Sequence, residues 1–503
     1  MAEDVPATHQ GRPGDAVRPA PLAGAALWTV GFLLSLANFI VILDTTIANV
    51  SIPNIAGGLA VSPNEGTWVI TSYAVAEAIT VPLSGWLAQR FGPVRVFCWA
   101  MALFAVFSGL CGLAPSLGVL VVCRVLQGLA GGPLIPLSQT LLLRTFSKEQ
   151  APKAMAMWVM TTVVAPIVGP ILGGTICDNI SWPWIFYINL PVALPAALMV
   201  WRMLGKTEGK GLKLPIDVIG LVLLVIWIGA LQIMLDKGED ADWFNSPFIV
   251  ALACIAVLFF AAFLIWELTE ANPIINLKVF GSVSYTITLG ALCLAFGAYF
   301  SAIVIQPLWL QTNLGYTATW AGYAVAPLGV LAIAMSPITG KLMARYDQRA
   351  IAFVGMLGLA GTMFWRSRFA SNINFGGIVA PQTVMGIFVP LFFTPIFSLA
   401  LATLTPKDLA GGAGLLAFTR TMAGAIATSL STTAWANSAR SARVDLLDQF
   451  NSGAALGRLN PPGLSSEQAL RQFDGIVQSQ AVMLATDKIF FIVGVLLLSL
   501  IHI

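Results

Sequence analysis

Four ionisable side chains of this 503-residue chain, Asp44, Glu77, Arg124 and Arg420, fall inside long apolar runs. A charge in hydrocarbon is costly, so each is a functional candidate by default. A carboxylate beside an arginine can hold and release a proton. The cation favours its charged form, burial disfavours it, and a change of conformation moves the balance. Asp44, Arg124 and Glu77 lie about four, seven and ten residues from the outward ends of their runs, or about 6, 10 and 15 Å deep at 1.5 Å per residue. The three therefore read as a proton-coupling set lining one cavity. The alternative for Asp44 is a carboxylate that caps backbone or pairs with Arg124 without titrating. Glu77 can equally be structural. Arg420 either ties helices together through carbonyls or contacts a substrate. Gln306, Asn313 and Gln382 either join such a cavity or satisfy neighbouring helices.

The elements that hold these residues are apolar. The chain is 57% hydrophobic and 10% charged, with a mean hydropathy of +0.84. That composition predicts an all-α polytopic membrane protein. Fourteen spans are expected near 27–48, 67–86, 95–114, 117–137, 154–174, 184–203, 216–235, 247–266, 285–306, 319–340, 350–366, 377–400, 413–435 and 486–503. Residues 1–22 read as a disordered cytoplasmic tail, and the first run is too long for a cleavable signal peptide. Ending at Ile503 without a polar tail, the sequence reads as short of its C-terminus.

Loop charge sets the orientation. With the N-terminus inside, the inner segments hold sixteen basic residues: Arg12, Arg18, Arg90, Arg95, Arg144, Lys148, Lys153, Arg202, Lys206, Lys210, Lys213, Lys278, Lys341, Arg345, Arg349 and Lys407. The short outer loops hold three, Lys237, Arg366 and Arg368. The positive-inside rule then places both termini in the cytoplasm. The net charge of +3 reflects this topology rather than a nucleic-acid partner.

Two loops echo one another. GWLAQRFGPVR (Gly85 to Arg95) and GKLMARYDQR (Gly340 to Arg349) share Gly, then Leu two residues on and Arg five residues on. Such an echo marks duplicated transporter halves. If helix 10 answers helix 2, helices 7 and 8 are an insert between two six-helix bundles. The expected divisions are 1–22, 23–204, 205–281 and 282–503. Residues 165–174, APIVGPILGG, place small residues at 165, 169 and 173, a stripe on which another helix can pack closely.

These motifs identify a family. LDTTIANVSIPNI (43–55), the 85–95 loop, RVLQGLAGGPLIPLSQ (124–139), WPWIFYINLP (182–191), the segment 216–244, GYTATWAG (315–322) and FTRTMAG (418–424) occur in order and spacing. Together they resemble the fourteen-helix drug:proton antiporters of the major facilitator superfamily, the EmrB/QacA type and within it the EmrB branch. The resemblance implies a major facilitator fold and proton-driven export of hydrophobic drugs across the bacterial inner membrane. Its alternative is a dedicated exporter of one metabolite class, such as fatty acids or siderophores. It implies a tripartite assembly with an EmrA-like periplasmic adaptor and a TolC-like outer-membrane channel. Pro166, Gly169, Pro170, Gly173 and Gly174 match the helix 5 antiporter motif, and Gly85, Arg90, Gly92 and Arg95 the cytoplasmic gate motif. The chain departs from the pattern at Gln89, where an acid is usual, and at Ala165, where a glycine is usual. It also implies that Arg124 tunes a proton site.

Other chemistry is not signalled. The six cysteines lack CxxC spacing and read as packing residues, and His9 and His502 suit neither a metal site nor a general base. Gly205-Lys206-Thr207 ends like a phosphate loop, but Val200 stands where its first glycine belongs. The expectation is no enzyme, no metal and no cofactor, with the proton gradient as energy source. No acid is expected mid-membrane in helices 9–14, which favours neutral or weakly acidic substrates. Residues 437–485 are expected as an outward loop with two amphipathic helices, 439–450 and 465–485, serving as a lid or as an adaptor dock.

Overall fold

A computed structural model describes residues 23–500 except 148, 209–214, 272, 276, 403, 405–407 and 451–465. The expected tail 1–22, the basic residues Arg12, Arg18, Lys148, Lys210, Lys213 and Lys407, and both histidines lie outside the described residues. Among the described residues there are helices and turns but no strand.

Fourteen long helices carry the fold. The first six are α1 (Gly24–Gly58), α2 (Trp68–Phe91), α3 (Pro93–Gly112), α4 (Leu117–Thr145), α5 (Ala151–Asn179) and α6 (Trp184–Leu204). An inserted pair follows, α7 (Val218–Lys237) and α8 (Pro247–Thr269). The last six are α9 (Val283–Thr312), α10 (Ala318–Met343), α11 (Gln348–Arg366), α12 (Phe375–Ala402), α13 (Leu409–Phe450) and α14 (Ser466–Ser499). Eleven of them are long and apolar enough to cross a membrane. The other three, α2, α11 and α13, are richer in Ser, Thr, Gly and charge and pack among the eleven.

Each half is a bundle. In the first, α1 packs on α5, and α4 on α2 and α3. In the second, α12 packs on α10 and α11, and α13 on α9 and α14. The halves meet where α5 crosses α10 and where α2 crosses α13, while α7 lies against α8 and α2. At the face where α1 begins, the terminal face, the halves are packed together. Trp158 of α5 meets Phe397 of α12 edge to face at 5.6 Å. A Cβ on Gly340 would come within 3.1 Å of the Lys153 backbone, and one on Gly414 within 2.6 Å of the Ser84 hydroxyl. Toward the opposite, far face the halves part and leave a cavity.

Helix ends depart from the expected spans for a simple reason. Between Gly424 and Phe450 no Gly or Pro interrupts the chain, so α13 runs on past its apolar part to a total of 42 residues, or about 63 Å. The segment expected as an outer loop is therefore mostly the projecting ends of α13 and α14. They are cross-linked by an Arg443–Asp474 ion pair at 2.6 Å. The two amphipathic helices are continuations of membrane helices, not separate elements, and 451–465 between them lies outside the described residues.

Candidate functional site

Asp44 of α1 and Arg124 of α4 form an ion pair at 2.5 Å with both side chains sealed from solvent. The second carboxylate oxygen accepts from Asn189 of α6 at 2.7 Å and from Gln127 at 3.0 Å. Arg124 also donates to the Val69 carbonyl at 3.1 Å and to Gln127 at 2.8 Å, and its guanidinium lies 4.1 Å from the Tyr73 ring centre. Its Nη2 has no hydrogen-bond partner among the described residues. Two buried charges survive here because nearly every polar atom is satisfied. Four helices, α1, α2, α4 and α6, are tied at one point.

Glycines bring α4 onto α2. A Cβ on Gly128 would sit 2.5 Å from the Tyr73 carbonyl, and one on Gly132 2.2 Å from the Thr80 hydroxyl. No side chain fits, so the RVLQGLAGG run fixes Arg124 relative to Glu77 one turn beyond Tyr73.

Glu77 itself faces the other way. It lines a cavity of about 630 Å³ between the halves, with Arg420 on the wall contributed by α13. Asp44 and Arg124 do not line it. The expected single cavity is thus two sites: Glu77 lines the space between the halves, and the ion pair is sealed from it. Exposed Asn49, Gln311 and Glu239 form the mouth at the far face. Arg420 is buried among Phe296, Trp158 and Phe397, with ring centres at 5.1, 5.8 and 5.7 Å. Its Nε and Nη1 find no partner among the described residues, so these two donors are not spent on tying carbonyls.

The antiporter motif joins both halves. Pro166 and Pro170 line the cavity. A Cβ on Gly169 would lie 2.1 Å from the Thr46 hydroxyl, and one on Gly173 3.2 Å from the Ile47 carbonyl, so both face α1 just past Asp44. Gly174 faces Thr319 of α10. Ala165 is fully buried, and its carbonyl accepts from Thr46 at 3.4 Å.

At the terminal face, the 85–95 loop, which has Gln89 where an acid is usual, meets an acid that sequence patterns did not mark. Glu208, just after α6, accepts from the N–H groups of Val94 at 2.9 Å and Arg95 at 3.2 Å, and pairs with the Arg95 guanidinium at 3.5 Å. It caps the start of α3, where free N–H groups and the helix dipole favour an anion. Gly92 has φ +92°, and a Cβ there would lie 2.0 Å from the Glu208 carboxylate, so two constraints require glycine. Gly85 is buried in α2, and Arg90 stacks near Trp86 at 5.4 Å.

Three expectations for the second half are corrected. Gln306 and Asn313 do not line the cavity. Asn313 donates to the Ser479 carbonyl at 3.2 Å, and Gln306 accepts from both Gln382 and Arg366. Arg366, counted above as an outer-loop cation, ends α11 fully buried, 3.9 Å from the Phe490 ring centre. Helices 9–14 do contain an acid: α14 begins twenty residues before the expected span, which places Asp487 in mid-helix, half-buried. The inserted α7 and the turn after it add two more acids to the cavity wall, Asp236 and Glu239. Four-residue spacing from Gln232 to Asp236 is the one sequence sign that α7 turns a polar face to something.

Known proteins are similar to this chain. The profile described as Major Facilitator Superfamily matches residues 34–428. The chain is 44% identical over 480 residues to the multidrug export protein EmrB of Haemophilus influenzae, covering 94% of each. It is 43% identical to EmrB of Escherichia coli K12, covering 94% of this chain and 93% of that one. It is 40% identical to the fatty acid resistance protein FarB of Neisseria gonorrhoeae, covering 96% of each. Among solved structures, the proton:xylose symporter XylE superposes with a TM-score of 0.56 at 13% identity, over 92% of this chain and 94% of that one, which bears on the fold alone.

Proposed function

The chain belongs to the major facilitator superfamily, in its EmrB-type group of multi-pass transporters, and from that premise we propose that it is a proton-driven antiporter. It exports hydrophobic drugs across the bacterial inner membrane, with both termini cytoplasmic, as the pump of a tripartite system. Proton binding at Asp44 carries the coupling. The observation that carries this reading is the sealed Asp44–Arg124 pair, one turn from the α1 residues Val41, Thr45 and Thr46 that line the cavity. A proton on Asp44 removes the charge that holds α1, α4 and α6 together. Because Thr46 and Ile47 seat Gly169 and Gly173, a shift of α1 is passed to α5 and from there to α10. The far-face opening is then the drug-releasing, proton-loading state. One charge crossing 100 mV releases about 2.3 kcal/mol, enough for a drug gradient of about fiftyfold per proton.

The partners follow from the same reading. The projecting ends of α13 and α14 stand on the releasing face, where an EmrA-like adaptor leading to a TolC-like channel would receive the drug.

Inside-out vesicles with an acid interior test the proposal. Several hydrophobic weak acids and neutral drugs should each trigger proton release, and Asp44→Asn should abolish it while the protein stays folded. Release at the wild-type rate in Asp44→Asn would overturn it. A second reading, a dedicated exporter of fatty acids or another single metabolite class, draws on FarB and on Arg420 at the base of an apolar cavity. Response to one compound class alone would favour it.

A further inference from the structure

Of the two helices inserted between the bundles, α7 stands where the halves part. At its far end Lys237 donates to Thr67, which precedes α2, at 2.5 Å, and the Leu235 carbonyl accepts from Ser429 of α13 at 2.9 Å. The following turn donates from Trp243 to Thr433 of α13 at 3.0 Å. The helix thus closes the gap between α2 and α13 and forms part of the cavity wall with Gln232, Leu235 and Asp236, followed by Glu239 in the next turn. Asp236 is held in place by Gln232 at 3.2 Å and by Thr71 of α2, and remains exposed to the cavity.

Arg420 lies at the other end of the same space, buried, with two unpartnered donors. Ser429, which marks the level of Leu235 and Asp236, is nine residues beyond Arg420 on α13, a rise of about 13 Å. Between them the wall carries Phe300, Ile303 and Ile70, while Glu77 faces the same space near enough to Arg420 to interact with its charge. A fixed cation at the base and a fixed acid near the mouth, separated by apolar surface, match a ligand with an anionic group at one end and a cationic group at the other.

We propose that α7 is part of the drug-binding wall and that Asp236, opposed to Arg420, selects extended amphoteric molecules: hydrophobic ring systems bearing a carboxylate at one end and an amine at the other. This rests on the cavity being the export cavity. The carboxylate pairs with the Arg420 guanidinium where it lines the cavity, and the ammonium takes Asp236.

The test is equilibrium binding to the purified full-length protein in lipid nanodiscs, so it depends on neither transport nor proton coupling. The probes are norfloxacin, its N-acetylpiperazine form, which keeps only the acid, and its methyl ester, which keeps only the amine. Norfloxacin should bind the wild type about tenfold more tightly than either single-charge form. Asp236→Asn should abolish the preference over the N-acetyl form and keep that over the ester. Arg420→Gln should do the reverse, and Asp236→Glu should retain both. Equal affinities for the three in the wild type would overturn the proposal. So would an unchanged ratio in Asp236→Asn, or parallel loss of all three in Asp236→Asn that Asp236→Glu does not rescue. If vesicles show no proton release while these ratios hold, the coupling reading fails and this one stands.

Discussion

At the scale of single residues, Asp44 matters because of what its removal leaves behind. Asp44→Ala strands Arg124 as a buried cation without its counter-charge, and breaking one side of such a pair costs about 3–5 kcal/mol. Asp44→Asn also leaves Arg124 without its counter-charge, but it keeps the shape and an oxygen to accept from Asn189 and Gln127, so it should lose somewhat less. Thermal unfolding in detergent should rank wild type, Asp44→Asn and Asp44→Ala in that order, with Asp44→Ala/Arg124→Leu recovering part of the loss. If Asp44→Ala melts with the wild type, the pair is not holding the four helices together. Arg366 has no such partner among the described residues. Its hydrogen bonds reach the Ala302 carbonyl, Gln306 and two methionine sulfurs, and it stacks on Phe490. It stabilises the second half through packing and carbonyl bonding rather than through an ion pair.

At the scale of elements, glycine spacing decides how closely helices approach. Gly128→Ala drives a methyl group into the Tyr73 carbonyl, a backbone atom that cannot rotate away. Overpacking of this kind costs about 1–3 kcal/mol, and because it displaces α4 from α2 it should also loosen the setting of Arg124. Lower thermal stability together with slower proton release would be the expected result. Gly118→Ala, where nothing lies within 4 Å, is the control that should change neither. The α13–α14 hairpin belongs to the same scale. Excising residues 440–476 and bridging the ends leaves Ser479 to receive Asn313 and Gln480 to donate to Ser371. The proposed assembly predicts that this deletion spares proton release in vesicles but abolishes resistance in cells. If resistance survives, the hairpin is not the adaptor's dock.

At the scale of the whole molecule, the linker after α6 is clamped to the first half. Glu208 caps α3, and Trp86 of α2 donates to the Pro215 carbonyl at 3.1 Å, just before α7. The inserted pair should therefore move with the first bundle. Burial pushes the Glu208 carboxyl above its ordinary range, against the pull of the Arg95 and Val94 N–H groups and the Arg95 charge. Folding thus favours its protonated form, and its contribution to stability falls as pH rises from the ordinary glutamate value through the raised one. The stability difference between wild type and Glu208→Gln should shrink over that acid window and then level off. A difference that grows with pH would reverse the assignment. Glu208→Ala should lose about 1 kcal/mol, as other lost N-caps do.

The sequence by itself determined the class of fold and the helix count, and it offered the duplication with its two-helix insert and, as one of two readings, the pairing of Asp44 with Arg124. Each follows from apolar run length, from repeated loop residues or from motif order, and these are properties of the chain read along its length. Only the tertiary structure decided which polar residues share a space. Glu77 and Arg420 face one cavity because the two halves part at the far face, whereas Gln306 and Asn313 turn into their own bundle. Asp236 joins that cavity only because α7 stands between α2 and α13. Arg366 and Asp487 read as loop or terminal residues until helix ends extended past their apolar runs. Glu208 reaches the start of α3 from over a hundred residues away. Hydropathy records the depth of a residue but not the direction in which its side chain points, and the direction is set by which helix lies beside it.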